Sequence, residues 1–220
     1  MKRNGQKELY RGLELLGCFG VWTWLVQTVD VQAAGPAGEA VGFAGLNGWF
    51  HGLTGVHWTL YTLTDWLGLV PVAVCLWFAG LGLGQWIRRR HLGKVDFDIL
   101  LLGLYYGSVI LMYLLFEAVP VNYRPVLIQG RLEASYPSST TLLALSVMPT
   151  AVFQGNRRLN GERSRRVLGL AATGFSLFLV LGRLLSGVHW LTDIVGAALL
   201  SGGAFQLYKG AVALGERKRP

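Results

Sequence analysis

Residues 167–208 read VLGLAATGFSLFLVLGRLLSGVHWLTDIVGAALLSGGAFQLY. Two apolar blocks, Val167 to Gly182 and Trp190 to Tyr208, meet at a short turn, and Arg183, His189 and Asp193 sit where the first ends and the second begins. Roughly 20 apolar residues are needed for a helix to cross a bilayer, so blocks of this kind are read as spans. Ionisable residues beside such spans are costly, and the first reading of this triplet is chemistry.

The rest of the chain repeats the pattern. Further apolar blocks run from Leu13 to Val31, Trp66 to Ile87, Phe97 to Val119 and Ser138 to Phe153. The 220 residues are 52% hydrophobic and only 15% charged, with a mean hydropathy of +0.43; soluble domains carry about a quarter charged residues. The sequence therefore predicts an all-α, polytopic membrane protein, a six-transmembrane-helix bundle in one domain over 1–220. The spans are expected at 13–31, 66–87, 97–119, 138–153, 167–182 and 190–208. The short fourth and fifth blocks are expected to borrow flanking residues. No small-residue cleavage site follows the first block, which is read as a retained helix.

Between the first two spans, Ala33 to Thr64 is too polar to cross and too apolar for a free loop. Phe43, Leu46, Phe50 and Leu53 recur at helical spacing beside Trp49, which predicts an amphipathic segment in the membrane interface. Trp58, Tyr61 and Trp66 suit an aromatic belt. His51 and His57 are read either as headgroup contacts or as ordinary interfacial polarity. Cys18 and Cys75 fall inside separate apolar blocks and read as small packing residues. No metal-ligand spacing is present, and no metal or cofactor is expected.

Charge placement gives the orientation. Of the twenty Lys and Arg residues, seventeen fall in four segments. These hold Lys2, Arg3, Lys7 and Arg11; Arg88, Arg89, Arg90 and Lys94; Arg157, Arg158, Arg163, Arg165 and Arg166; and Lys209, Arg217, Lys218 and Arg219. Six spans put all four segments on one side, which the positive-inside rule assigns to the cytoplasm together with both termini. The net charge of +8 is thereby explained by contact with anionic headgroups in the cytoplasmic membrane. No nucleic-acid partner is expected, since no basic patch is interleaved with aromatics.

Arg124, Arg131 and Arg183 remain for the outer face, in segments that hold the other unusual polar residues. The first segment runs from Glu117 to Arg124-Pro125. The second is Pro137-Ser138-Ser139-Thr140-Thr141, and the third is Gly182-Arg183 to His189 and Asp193. Two arginine forks hold a phosphate through charge-assisted bonds. A helix opening at Pro137-Ser138 offers free backbone N–H groups to an anion. His189 and Asp193, four apart, share one helix face, and an aspartate so placed fixes the imidazole tautomer and makes His189 a candidate nucleophile. Each piece alone has a plainer reading as a helix cap, a turn or a helix-end pair; the three together carry the argument.

These segments resemble the type-2 phosphatidic acid phosphatase superfamily, the lipid phosphate phosphatases. The family pattern is Lys-(six residues)-Arg-Pro, then Pro-Ser-Gly-His, then Ser-Arg-(five)-His-(three)-Asp. The resemblance implies a lipid phosphate held among Arg124, Pro137, Ser138, Ser139 and Arg183. It implies attack by His189, supported by Asp193, to form a phosphohistidine, with no metal. It further implies a membrane lipid-phosphate phosphohydrolase acting on a polyprenyl phosphate or diphosphate, or on a glycerolipid phosphate. The chain departs from the pattern at Glu117 (for Lys), Ser139 (for Gly), Gly182 (for Ser) and Thr140 (for His). That histidine is the family's general acid, so Thr140 is expected to weaken or abolish turnover. Glu117, Arg131 and Gly182 have no fixed role at this stage. A non-enzymatic lipid-phosphate binding or carrier protein is the alternative. A transporter has little support, since no inverted repeat is visible. Oligomeric state is not readable from the sequence.

Overall fold

The computed structural model describes residues 2–216. Arg217, Lys218 and Arg219 of the basic C-terminal tail lie outside the described residues. Eight α-helices are present among them. They are α1 (Lys2–Thr28), α2 (Ala44–Thr54), α3 (Trp58–Leu67), α4 (Leu69–Arg89), α5 (Phe97–Ala118), α6 (Ser139–Arg158), α7 (Glu162–Leu185) and α8 (Leu191–Gly215). A 3₁₀ turn at Leu92–Lys94 links α4 to α5. Among the described residues one sheet is present, a pair of two-residue strands, β1 (Gln32–Ala33) and β2 (Ala40–Val41), antiparallel with Gln32 opposite Val41.

Helix α8 is the axis. Its buried residues Ile194, Ala197, Leu200, Ala204, Tyr208 and Val212 recur at spacings of three and four on one face, and Gly196, Gly203 and Gly210 form a second, adjacent one, so neighbouring helices cover it from more than one side. Helix α1 lies along it, where Gly203 and Gly210 admit the side chains of Leu16 and Leu9; small residues let membrane helices approach closely. Leu142 of α6 and Ile99, Leu102, Tyr105 and Val109 of α5 complete the core around α8. The outward faces are as apolar as the inside: Leu76, Trp77, Leu104, Leu111 and Leu170 are exposed. A surface of that kind is stable in lipid, where no force drives Leu inward.

Among the described residues, three helical stretches are long and apolar enough to cross a membrane: Trp58–Arg89, Phe97–Ala118 and Glu162–Leu185. The first joins α3 to α4, because the Gly68 N–H still bonds to the Thr64 and Asp65 carbonyls at 3.1 and 3.0 Å. The helix that carries the second expected span thus starts at Trp58, eight residues before the expected Trp66. Consequently the end of the predicted interfacial stretch belongs to the bundle: Thr64 is fully buried. Of the periodic residues before it, Leu46, Phe50 and Leu53 fall on α2 and Phe43 just precedes it; Leu46, Trp49 and Leu53 are exposed.

At the end of the bundle where α5 starts and α6 finishes, Asp98 is buried between Arg157 (3.1 Å) and Arg158 (2.9 Å). Tyr208 donates to the Asp98 carbonyl at 3.1 Å. An acid in the first turn of α5 complements its helix dipole, and here it also ties α5, α6 and α8 together. The opposite end, where α5 finishes and α6 starts, carries the other polar cluster.

Candidate functional site

Three short connections build this second cluster. The segment between α5 and α6 folds back on itself through bridges between Tyr123 and Ala134 and between Ile128 and Arg131. Backbone bonds from Arg124 to Glu133 (3.0 Å) and from Ser135 to Asn122 (2.9 Å) hold its two arms in register. That register buries Arg124 and aims it inward. The turn between α7 and α8 requires glycine at 187: its φ is +68°, and a Cβ there would collide with the Gly55 carbonyl. Trp190 closes the assembly by donating its indole N–H to the Tyr123 carbonyl at 2.7 Å. The start of α6 is tied in by the Ser138 N–H, which bonds the Asp193 carbonyl at 3.2 Å.

His189 sits at the centre, 3% exposed. Arg124 Nη1 donates to His189 Nε2 at 3.1 Å. A guanidinium only donates, so Nε2 is the lone-pair nitrogen and the proton of the neutral ring is on Nδ1. Nδ1 lies 3.5 Å from Asp193 Oδ2, at the limit of hydrogen bonding. That oxygen is already engaged, accepting from the Trp190 backbone N–H at 2.9 Å. Burial, then the positive charges of Arg124 and Arg183, hold the His189 imidazole well below its usual pKa. The result is a neutral imidazole whose lone pair faces a cationic cluster.

Arg183 is almost wholly buried at the end of α7 and lies over the Tyr61 ring, 4.8 Å from its centroid. Its Nη2 donates to Thr140 Oγ1 at 2.6 Å and to Asp65 Oδ1 at 2.5 Å. Its Nε and Nη1 are buried without a hydrogen-bond partner. Arg124 is met in the same way by an acid: Glu133 Oε2 is 3.1 Å from its Nε. Buried guanidinium donors without partners are costly, and an anion at this cluster would satisfy them.

The remaining sequence-predicted residues divide. Ser138 is buried, and its hydroxyl donates to Thr141 Oγ1 at 3.1 Å. Pro137, Ser139, Glu117 and His189 line one narrow cleft, which brings Glu117 to the margin of the cluster. Gly182 stands one residue before Arg183, against Thr64 of α3. Arg131 is exposed at the Gln129-Gly130 turn, and among the described residues no hydrogen bond or ion pair joins it to the others. His51 packs edge-on against Trp190 at 5.7 Å, while His57 is exposed. Thr140 and Ser139 also line a cavity of about 300 Å³ with Asp65, Gly68, Leu69, Val109, Ile110, Tyr113, Leu142 and Leu143. It is mostly apolar and lies against the cationic cluster.

Sequence reasoning missed Asp65, Glu133 and Tyr61 as members of this cluster. Asp65 had a signal: it is the single acid in an apolar run from Trp58 to Val70, where an ionisable residue is a functional candidate by default. Glu133 and Tyr61 had none, since only the folded strap and the approach of α3 to α7 bring them in. Tyr61, expected in an aromatic belt, lies under the Arg183 guanidinium.

Fold and cluster together define a helical membrane protein with buried arginines and an imidazole gathered at one end of the bundle. Residues 117–213 match the family model described as the PAP2 superfamily. The stretch contains all three segments that carried the resemblance in the sequence. The fold is similar to the crystal structure of a transmembrane PAP2 type phosphatidylglycerolphosphate phosphatase from Bacillus subtilis. The TM-score is 0.67 at 17% identity, over 96% of this chain and 98% of that one. At this identity the likeness is one of fold. No curated protein matches the chain.

Proposed function

We propose that this chain is a membrane lipid-phosphate phosphohydrolase that works through a phosphohistidine on His189. The observation that carries the reading is the neutral, buried His189 with its Nε2 lone pair 3.1 Å from Arg124 Nη1. A phosphate drawn between Arg124 and Arg183 would replace that contact and meet the lone pair. The match of residues 117–213 to the superfamily model supports the reaction class.

In this reading Nε2 attacks phosphorus, a P–N bond forms and the P–O bond to the lipid breaks. The proton on Nδ1 stays with the ring, and Asp193 stabilises the cation that forms. Water then attacks phosphorus, the P–N bond breaks, and inorganic phosphate leaves. Arg124, Arg183, Ser138, Ser139 and the free N–H groups at the start of α6, which Pro137 introduces, bind the phosphoryl oxygens. No cofactor enters the scheme. The apolar cavity of about 300 Å³ beside Thr140 is suited to the first part of a lipid tail. Candidate substrates are polyprenyl phosphates or diphosphates and glycerolipid phosphates, the last including phosphatidylglycerol phosphate by likeness to the fold neighbour.

The reading extends to topology. All of 1–220 forms one domain, with six spans in α1, α3–α4, α5, α6, α7 and α8. Both termini face the cytoplasm and the site faces outward. The exposed Leu46, Trp49 and Leu53 of α2 lie in the outer interface. Arg88, Arg89, Arg90, Arg157, Arg158 and Arg163 support this, all falling at the end away from His189.

Thr140, at the position of the general-acid histidine, cannot protonate a leaving alkoxide at neutral pH. General acid catalysis contributes about 10²- to 10⁴-fold, so alkyl phosphates should turn over slowly and diphosphates, with a better leaving group, faster. That gap also favours the second reading, a lipid-phosphate binding protein on the same fold. Phosphate release from a panel of lipid phosphates and diphosphates in detergent separates the two. Release that requires His189 and rises with Thr140→His establishes the hydrolase. Saturable lipid binding with no release in either background establishes the binding protein.

A further inference from the structure

We propose that Asp65 is the general acid of this site, taking the part that Thr140 leaves open. The inference rests on the phosphohydrolase reading above. Asp65 Oδ1 and Thr140 Oγ1 are bound to the same nitrogen, Arg183 Nη2, at 2.5 and 2.6 Å, so the two oxygens are immediate neighbours. The carboxyl therefore stands beside the position from which a histidine at 140 would act. Both residues line the apolar cavity suited to the lipid tail, so the bond between phosphate and lipid would lie within reach of Asp65. The Asp65 side chain is 58% exposed while Arg183 is 2% exposed. The carboxyl thus stands at the open side of the pair, where the lipid oxygen and the attacking water can approach it.

A second departure from the family pattern points the same way. At 182 the pattern has Ser and this chain has Gly. A Cβ at 182 would lie 2.5 Å from Thr64 Cγ2, so the missing side chain is what lets α3 settle against α7. Thr64 immediately precedes Asp65, and it is this close approach that delivers the carboxyl to Arg183. Thr140 and Gly182, separate anomalies in the sequence, are one arrangement in space. The first removes an acid from α6, and the second admits one from α3.

The proton path balances. In the acting form Arg183 holds the phosphate oxygens and Asp65 carries the proton that the leaving group needs. As His189 Nε2 forms the P–N bond, Asp65 gives its proton to the lipid oxygen, and the lipid leaves as a neutral alcohol. In the second step the Asp65 carboxylate takes a proton from the attacking water, and phosphate leaves His189. The sum is one water consumed and one phosphate released.

The test compares an alkyl leaving group, which needs an acid, with an aryl one, which scarcely does. Phosphatidic acid and p-nitrophenyl phosphate are assayed with the full chain and with Asp65→Asn, His189→Ala and Asp65→Asn/Thr140→His. The expected result is that Asp65→Asn lowers release from phosphatidic acid by about 10²-fold or more. Release from p-nitrophenyl phosphate should fall far less, and Thr140→His should restore the lipid reaction in the Asp65→Asn background. Equal losses on both substrates, no recovery with Thr140→His, or faster lipid release in Asp65→Asn would each overturn the assignment. The first two make Asp65 a prop for Arg183, and the third makes it a competitor of the phosphate. If the unaltered chain releases phosphate from neither substrate in a His189-dependent way, the phosphohydrolase reading falls, and this inference with it.

Discussion

His189 shows how much of a residue's chemistry depends on neighbours that its sequence position does not reveal. Its spacing to Asp193 suggests a dyad, yet Asp193 spends one oxygen on the Trp190 N–H, and the closest polar contact of the ring is Arg124. The stability of the protein should record this. The folded pKa of His189 is depressed from 6.5, so the unfolded chain takes up the proton first as pH falls. The contribution is complete above about pH 6.5 and is lost as pH drops below it toward the folded value. The thermal midpoint of the detergent-solubilised chain should therefore fall between pH 6.5 and 5, and more steeply than in His189→Gln. An identical pH dependence in the two would mean that the imidazole is not held neutral by its surroundings. Asp193 and Arg183 were legible in the sequence because a charged residue beside an apolar span has few innocent explanations. Glu133 was not, because an acid in a polar loop has many.

The elements divide along the same line. Long apolar helices such as α5 and α7 could be read within a few residues, since hydrophobic length alone specifies them. The boundary between α3 and α4 could not, because Gly68 looks like a break and the helical hydrogen bonds run through it. Nor could the strap from Val119 to Ser138, whose fold depends on bridges between its own arms. Two substitutions probe these joints. Gly187→Ala forces a non-glycine residue to a φ of +68° against the Gly55 carbonyl, a strain of roughly 1–3 kcal/mol, and should lower the thermal midpoint. An unchanged midpoint would show that the α7–α8 turn tolerates a different path. Gly182→Ser should push α3 from α7 and weaken the Asp65–Arg183 pair; a crystal structure of the variant with that pair still at 2.5 Å would contradict the packing argument.

At the scale of the whole molecule, two polar clusters sit at opposite ends of an otherwise apolar bundle, and their chemistry differs. The end with Asp98, Arg157 and Arg158 satisfies its charges internally. The end with His189 keeps donors of Arg183 without partners, as a site waiting for an anion should. The proposed orientation rests on which end carries the basic turns. In a background with Cys18→Ser and Cys75→Ser, a cysteine at Arg165 should react with a membrane-impermeant maleimide only after the cytoplasmic side is opened. One at Gln129 should react in intact cells. The reverse pattern would turn the molecule over and put the site on the inner leaflet. Trapping the covalent intermediate tests the phosphohistidine on His189. The purified chain is mixed with phosphatidic acid carrying ³²P in its phosphate, quenched in alkali and digested. Alkali-stable, acid-labile label is expected on the peptide containing His189, and none in His189→Ala. Phosphate release without that label, or label that survives in His189→Ala, would contradict it.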